Sequence, residues 1–516
     1  MKATLTPERV FAEPGLRVAQ PSQFKISSCG QYVSFLQASA VSNSILDLWV
    51  FVCATQQRFC LLAASSIAKE AKEDVSALTA RERAERERRR QFTQGITEYF
   101  WRPNTTSLVA CIDGQAYLTD VELSTPSLLT NRNTRQAAFS LSANGQFLSY
   151  VRDGDLYYRR INEDLEVEQR VTTDATATLS NGAADFLAAE EMHRFKGHWW
   201  SADETLLFFS KVDESRVTVS NRLEVDANGS RSIAQRYPYA GAVNPSVSLW
   251  QYSIATGELL ELWRDSEEQA YLARVDPCTD GLYIQCQDRL QQTLTVLRKG
   301  YAEKKWQTYH VERSTTWINL TDDFTELQGG GHAFTSESSG RRQAILLNRP
   351  NAPERLACPT HLNQLLGADT EKIYACGWQD TPLENHLFTI PLDGSAFTRI
   401  TEDAGWHDFV LNPRQCLFVD RFTNDLTPLK VSLNSAVAKR VEHTLFEEQI
   451  NANHPYQPFL ANHVPSEFGS VLTSEQENLY FRLTPPLSKT GKHPVIVYVY
   501  GGPGAQKVRK EWSPLL

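Results

Sequence analysis

A unit that returns along most of the chain constrains the fold more than any other feature of these 516 residues. In each copy an aromatic or aliphatic residue leads into a polar turn, and one or two β-rich runs follow. "FKISSCGQYVSFLQ" begins at Phe24, with "LDLWVFV" after it. Further copies begin at Phe100 ("FWRPNTTSLVACIDGQAYLTDV"), Phe139 ("FSLSANGQFLSYVRDGDLYYRRI") and Trp199 ("WWSADETLLFFSKVD"). Others start at Ala273, Ala333, Thr370 and Phe409. Each reads as strand, turn, strand, with Asp-Gly, Asn-Gly or similar chemistry at the bend. One such unit cannot cover both faces of its own sheet. Radial stacking of four-stranded sheets removes the difficulty, which predicts a β-propeller. The spacing is irregular, roughly 40–60 residues, so insertions are expected between units. Seven or eight blades fit, with eight favoured. A large β-sandwich array is the rival, and repeated β pairs over so long a stretch disfavour it.

Composition narrows the function classes. Hydrophobic residues make up 41% and charged residues 22%, which suits a globular protein with a sizeable core. A formal net charge of −9 argues against a general nucleic-acid surface. No apolar run is long enough for a membrane span, and "MKATLTPERVFAEPGL" has no apolar signal segment. The expected location is cytoplasmic, or periplasmic if a signal peptide has been removed. The nine cysteines are scattered without a CxxC pair, which predicts reduced structural thiols. The eleven histidines show no HExxH or other ligand spacing, so neither a metal nor a cofactor is expected.

Two stretches break the β rhythm. Residues 72–91, "KEDVSALTARERAERERRRQ", predict a charge-dense helix, with six arginines and three glutamates from Arg81 to Arg90. Residues 182–196, "GAADFLAAEEMHRFK", have helical spacing, with Phe186, Leu187 and Met192 as the apolar positions. Near the end, "VIVYVYGGPGAQKV" (495–508) reads as a strand buried on both faces followed by a sharp turn, as in an α/β fold.

Several segments together resemble the dipeptidyl peptidase IV family of serine peptidases. These are "EEMHRFKGHWWSADETLLFFSKVDES" (190–215), "RYPYAGAVNPSVSL" (236–249), "FTSESSGRRQAILL" (334–347), "PLENHLFTIPLDG" (382–394) and "GWHDFVLNP" (405–413). "VYVYGGPGAQKV" is similar to the start of that family's α/β-hydrolase domain. The pattern is nearest to bacterial members and the cytosolic branch. The resemblance implies a propeller over residues 1–450 and the first strands of an incomplete hydrolase domain over 451–516. The sequence contains no G-x-S-x-G nucleophile elbow, so the expectation is an N-terminal piece of such an enzyme, without its catalytic triad.

Glu190 and Glu191 carry the functional reading. Adjacent carboxylates repel, and a bound ammonium would relieve the repulsion through charge-assisted hydrogen bonds. In the family such a pair holds the peptide N-terminus, which fixes how many residues are released. The resemblance also implies that an arginine at the end of the RERxR segment binds the substrate carbonyl. Arg90 matches that position, with Arg88 in reserve. Tyr500 matches the tyrosine that helps to hold the oxyanion. Trp199 and Trp200 read as blade core and pocket wall. The implied activity is release of N-terminal dipeptides, Xaa-Pro or Xaa-Ala, from peptides with a free N-terminus, by a parent that can form a homodimer. The alternative is a non-catalytic propeller that binds other proteins. With no nucleophile elbow, the 516-residue chain purified alone is expected to leave Gly-Pro and Ala-Pro chromogenic substrates uncleaved. Hydrolysis that survives stringent purification would contradict this.

Overall fold

The computed structural model describes residues 4–39, 42–68, 86–123, 125–162, 167–226, 229–265, 270–349, 353–488, 490–502 and 504–513. The fold is mainly β. It divides into two compact units, one of residues 1–37, 51–58 and 323–516, the other of residues 38–50 and 59–322.

Among the described residues the second unit contains four successive antiparallel groups of four or five strands, each close to the predicted strand–turn–strand copies, and a separate hairpin of Val219–Asp226 and Gly229–Arg236. The sheet of Ala137–Leu141, Phe147–Arg152, Asp155–Arg160 and Glu168–Arg170 is representative. Its strands pair in chain order, with Tyr150 opposite Tyr157 and Arg152 opposite Asp155 across the Asp153-Gly154 turn. Both turn residues have positive φ, as a two-residue hairpin of this type requires.

Within this unit, successive sheets hide their faces against one another. Val109, Cys111 and Ala116 of one sheet pack on Phe139, Leu148 and Tyr150 of the next. On the opposite face of that sheet, Phe147, Val151 and Tyr158 meet Trp200, Leu207 and Phe209. Phe208, one residue out of phase, points the other way and packs with Leu272, Leu282 and Ile284. Alternation along Leu206–Asp213 therefore feeds two different cores from one strand. The first unit repeats this logic. Leu346 and Ala333 pack on Leu362 and Ile373, while Tyr374 and Leu387 pack on Phe418 and Ala436. The early turn after Ser22–Ile26 docks on the last of these sheets, where Asn412 Nδ2 donates to Ser27 O at 2.8 Å.

Two expectations change, and a third lies mostly outside the described residues. The helix predicted over 182–196 shrinks to Phe186–Glu190. Ala183 forms a β-bridge with Lys196, which closes the segment into a loop too short for a longer helix. Gly197 permits this approach, because a Cβ there would lie 2.3 Å from the Ala183 carbonyl carbon. Of the helix expected over 72–91, residues 72–85 lie outside the described residues, and helical backbone remains at Arg86–Arg88. The strand expected at Val495–Val499 does not form. Its side chains are 72–96% exposed, and its backbone pairs with no described strand, without which an extended run is not a sheet strand.

The segment after it is anchored within the first unit. Lys510 N donates to Leu383 O at 2.9 Å, and Lys510 Nζ lies 2.6 Å from Glu384 Oε1. Trp512 packs on Tyr456 and His463, beside Leu16 and Phe459. A division at residue 450 would thus leave Ile450 and Tyr456, which share this cluster, on opposite sides.

Buried histidines set an acid limit on stability. Burial pushes His386 in the first unit and His198 in the second down to about 4. Both rank among the buried side chains, so the folded state resists protonating them. The unfolded chain protonates near 6.5. It binds more protons between pH 6.5 and 4, so stability is present above 6.5 and is lost as pH falls through this window. Each contributes at most about 3 kcal/mol. Burial would also lower His407, but Asp420 outweighs it and raises the pKa, so His407 opposes the trend. The melting temperature is expected to fall steadily from pH 7 to pH 4.5. A flat profile in calorimetry would contradict the assignment of neutral buried imidazoles.

Candidate functional site: the Glu190–Glu191 helix

The site is built on the loop between Leu179–Asn181 and His198–Trp200, two short strands that both pair with Leu206–Asp213. The loop starts and returns on one rigid strand. A helix of five residues is too short to be stable alone. Its N-cap is Asp185, whose Oδ1 accepts from Ala188 N at 3.0 Å. At the other end Glu191 N donates to Leu187 O at 2.9 Å and Arg194 N to Ala188 O at 2.8 Å. His193, at φ 54°, makes the turn between them.

This frame puts Glu190 on the last helical position and Glu191 on the cap. Glu190 is half-buried and Glu191 exposed. Arg88 approaches Glu190, with Nε 4.0 Å from Oε1. The Arg88 guanidinium also lies over the Phe186 ring, 5.0 Å from its centroid. Phe186 meets Tyr237 edge-on at 5.2 Å, and Tyr237 meets Tyr239 at 4.9 Å. Beside the helix lies a cavity of about 230 Å³, lined in part by Arg88, Phe186, Phe195, Ser180 and Glu214. The two glutamates stand outside its lining.

The two arginine candidates separate clearly. Arg88 reaches the glutamate, whereas Arg90 is exposed, sits at φ 53° and donates from Nη1 to Glu87 O at 3.4 Å. Tyr500 belongs to the first unit. It is 60% exposed, with Lys507 Nζ 5.2 Å from its ring centroid. Trp200 is a core residue that stacks on Phe147 at 5.2 Å and donates from Nε1 to Ser149 Oγ at 2.9 Å. Trp199 is half-buried beneath the Arg194 guanidinium.

Sequence reading missed Asp185 and Arg194. Asp185 carries a legible signal, an aspartate immediately before a short apolar run, as N-caps prefer. Arg194 carries none, because a charged residue in a polar stretch reads as exposed. Among the described residues no group of three or more His, Cys, Asp or Glu side chains is arranged to hold a metal. None of their helices is long and apolar enough to cross a membrane. Burial pushes the thiols of Cys286 and Cys376 up to about 12, which disfavours the thiolate form.

Residues 104–429 match the family described as the dipeptidyl peptidase IV (DPP IV) N-terminal region. The chain belongs to this family. Among curated relatives, a protein of Arthroderma otae named "Probable dipeptidyl-aminopeptidase B" is 23% identical over 460 residues, covering 80% of this chain and 48% of the relative. A protein of the same name from Ajellomyces capsulatus is 24% identical over 448 residues, covering 78% and 47%. The chain thus spans about half the length of the curated relatives it matches. The crystal structure of Porphyromonas gingivalis dipeptidyl peptidase 4 superposes with a TM-score of 0.77 at 19% identity, covering 96% of this chain and 69% of that one. At that identity the likeness concerns the fold.

One local consequence is measurable. Asp185→Ala removes the cap acceptor and leaves the buried Arg194 without its carboxylate. Losing a cap typically costs about 1 kcal/mol, and stranding one partner of a buried ion pair about 3–5 kcal/mol. Asp185→Ala is expected to lose at least about 3 kcal/mol in denaturant unfolding, whereas Glu191→Ala, at an exposed position, is expected to stay within about 0.5 kcal/mol.

Proposed function

We propose that this chain is the substrate-gating, N-terminus-recognising eight-bladed propeller of a serine-type dipeptidyl aminopeptidase. In this reading the enzyme releases N-terminal dipeptides, Xaa-Pro or Xaa-Ala, and residues 451–516 lead into its α/β-hydrolase domain. The observation that carries the reading is the half-buried Glu190 beside the exposed Glu191, on a helix held by its own cap. Glu191 has no ion pair among the described residues, and Arg88 approaches Glu190 only at 4.0 Å. A peptide ammonium would supply three N–H donors to the two carboxylates. Arg88 would then present its guanidinium to the first peptide carbonyl, a role the fork geometry suits. Tyr500 would act on the oxyanion within the completed catalytic domain. Family membership supports the peptidase class, and the exopeptidase step rests on the glutamates.

Changing either glutamate to Gln keeps the shape and removes one charge. Truncating one partner of a buried charge-assisted contact costs about 2–5 kcal/mol. In the full-length protein, Glu190→Gln and Glu191→Gln are therefore each expected to lower kcat/KM at least about tenfold on free-amine Xaa-Pro substrates. N-acetylated substrates, which offer no ammonium, are expected to be poor for the wild type and little changed by either substitution. Equal losses on both substrate types would mean that the glutamates shape the fold and do not anchor the N-terminus.

A further inference from the structure

The helix that carries Glu190 is held at both ends by a buried Asp185–Arg194 pair and its own backbone, besides the packing of Phe186, Ala188 and Ala189. Arg194 is 5% exposed and Asp185 6%, with Arg194 Nη2 3.5 Å from Asp185 Oδ2. Asp185 Oδ1, on the same carboxylate, caps the helix at Ala188 N. The Arg194 backbone N–H takes the Ala188 carbonyl at 2.8 Å, which closes the C-terminal side. Arg194 Nη1 donates to Lys196 O at 2.7 Å, next to the bridge at which the loop rejoins the sheet. Its guanidinium lies 5.7 Å from the Trp199 ring centroid. One residue thus ties the N-cap, the C-terminal turn and the returning strand together.

We infer that Arg194 is a positioning residue for the ammonium anchor: through Asp185 it fixes the helix on which Glu190 and Glu191 stand. The functional half rests on the reading of those glutamates given above, whereas the clamp itself stands on geometry alone. The arrangement favours a clamp over a plain core contact. Burial, and less so the neighbouring Arg274, disfavour charge on Arg194 against the favourable pull of Asp185, and its Nε has no partner among the described residues. An apolar residue would fill such a position without that cost. Arginine is needed where one planar group must reach two acceptors in different directions.

The test uses the 516-residue chain and two readouts. Hydrogen exchange at the amides of Ala188 and Glu191 reports the helix. Titration with the tripeptide Ala-Pro-Ala and with its N-acetylated form, followed by NMR, reports the anchor. Arg194→Met is expected to speed exchange at both amides at least tenfold and to weaken binding of the free-amine peptide at least tenfold, with the acetylated peptide unaffected. Arg194→Lys is expected to recover part of both effects, because one ammonium can reach Asp185 or the Lys196 carbonyl but not both. Should Arg194→Met fail to fold, Asp185→Asn decides, since asparagine keeps a cap acceptor and removes only the charge partner. Unchanged exchange and binding in the folded variants overturn the inference. Glu190→Gln runs in parallel. If it leaves free-amine binding unchanged, the anchor reading falls, while the exchange data still judge the clamp. If it weakens binding but Arg194→Met does not, the anchor stands and the clamp falls.

Discussion

A four-stranded sheet with apolar side chains on both faces cannot shield itself, and that constraint organises this chain. The strand Leu206–Asp213 shows it most directly. Leu207 and Phe209 enter the core shared with the preceding sheet, and Phe208 enters the core shared with the following one. Sliding the strand by one residue would put Phe208 in the wrong core and expel two neighbours, so its register is fixed from both sides. That rigidity is what makes the site possible. Both ends of the loop at 182–197 are paired to this strand, so a helix too short to hold itself inherits a fixed position.

The repeated sheets were legible in the sequence because their signals are local. Period-2 alternation and turn residues such as Asp153-Gly154 are both visible in a short window. The site was legible only in part. Glu190 and Glu191 stood out as a pair within a recognisable segment, but the extent of their helix depended on a bridge between Ala183 and Lys196, which no window reveals. The different placements of Arg88 and Arg90 depend on where the helical backbone at Arg86–Arg88 gives way to a left-handed residue at Arg90. Composition could not supply that, since every residue from Arg88 to Arg90 is the same. Val495–Val499 failed for the opposite reason. Its propensity is plain, but a strand is a pairing, and its partners must come from elsewhere in space. Lys510 and Trp512, which gave no strong signal, are tied into the first unit by a backbone bond, an ion pair and ring contacts.

The charges around the helix divide into two kinds, and the division follows burial. Asp185 and Arg194 are nearly sealed, so their attraction is poorly screened and breaking it strands a charge in a medium that cannot solvate it. Arg88 and Glu190 are 30% and 25% exposed and 4.0 Å apart, which places them among weak, screened pairs. A strong pair at the second position would work against ligand binding, because an incoming cation would first have to displace a satisfied partner. A weak one, under the proposed reading, would leave Glu190 available to a ligand, while the Arg88 guanidinium rests over the Phe186 ring. On that reading the loop combines tight electrostatics beneath the helix with loose electrostatics above it. Exchanging the two would give a helix that is free to move carrying a carboxylate that is already occupied.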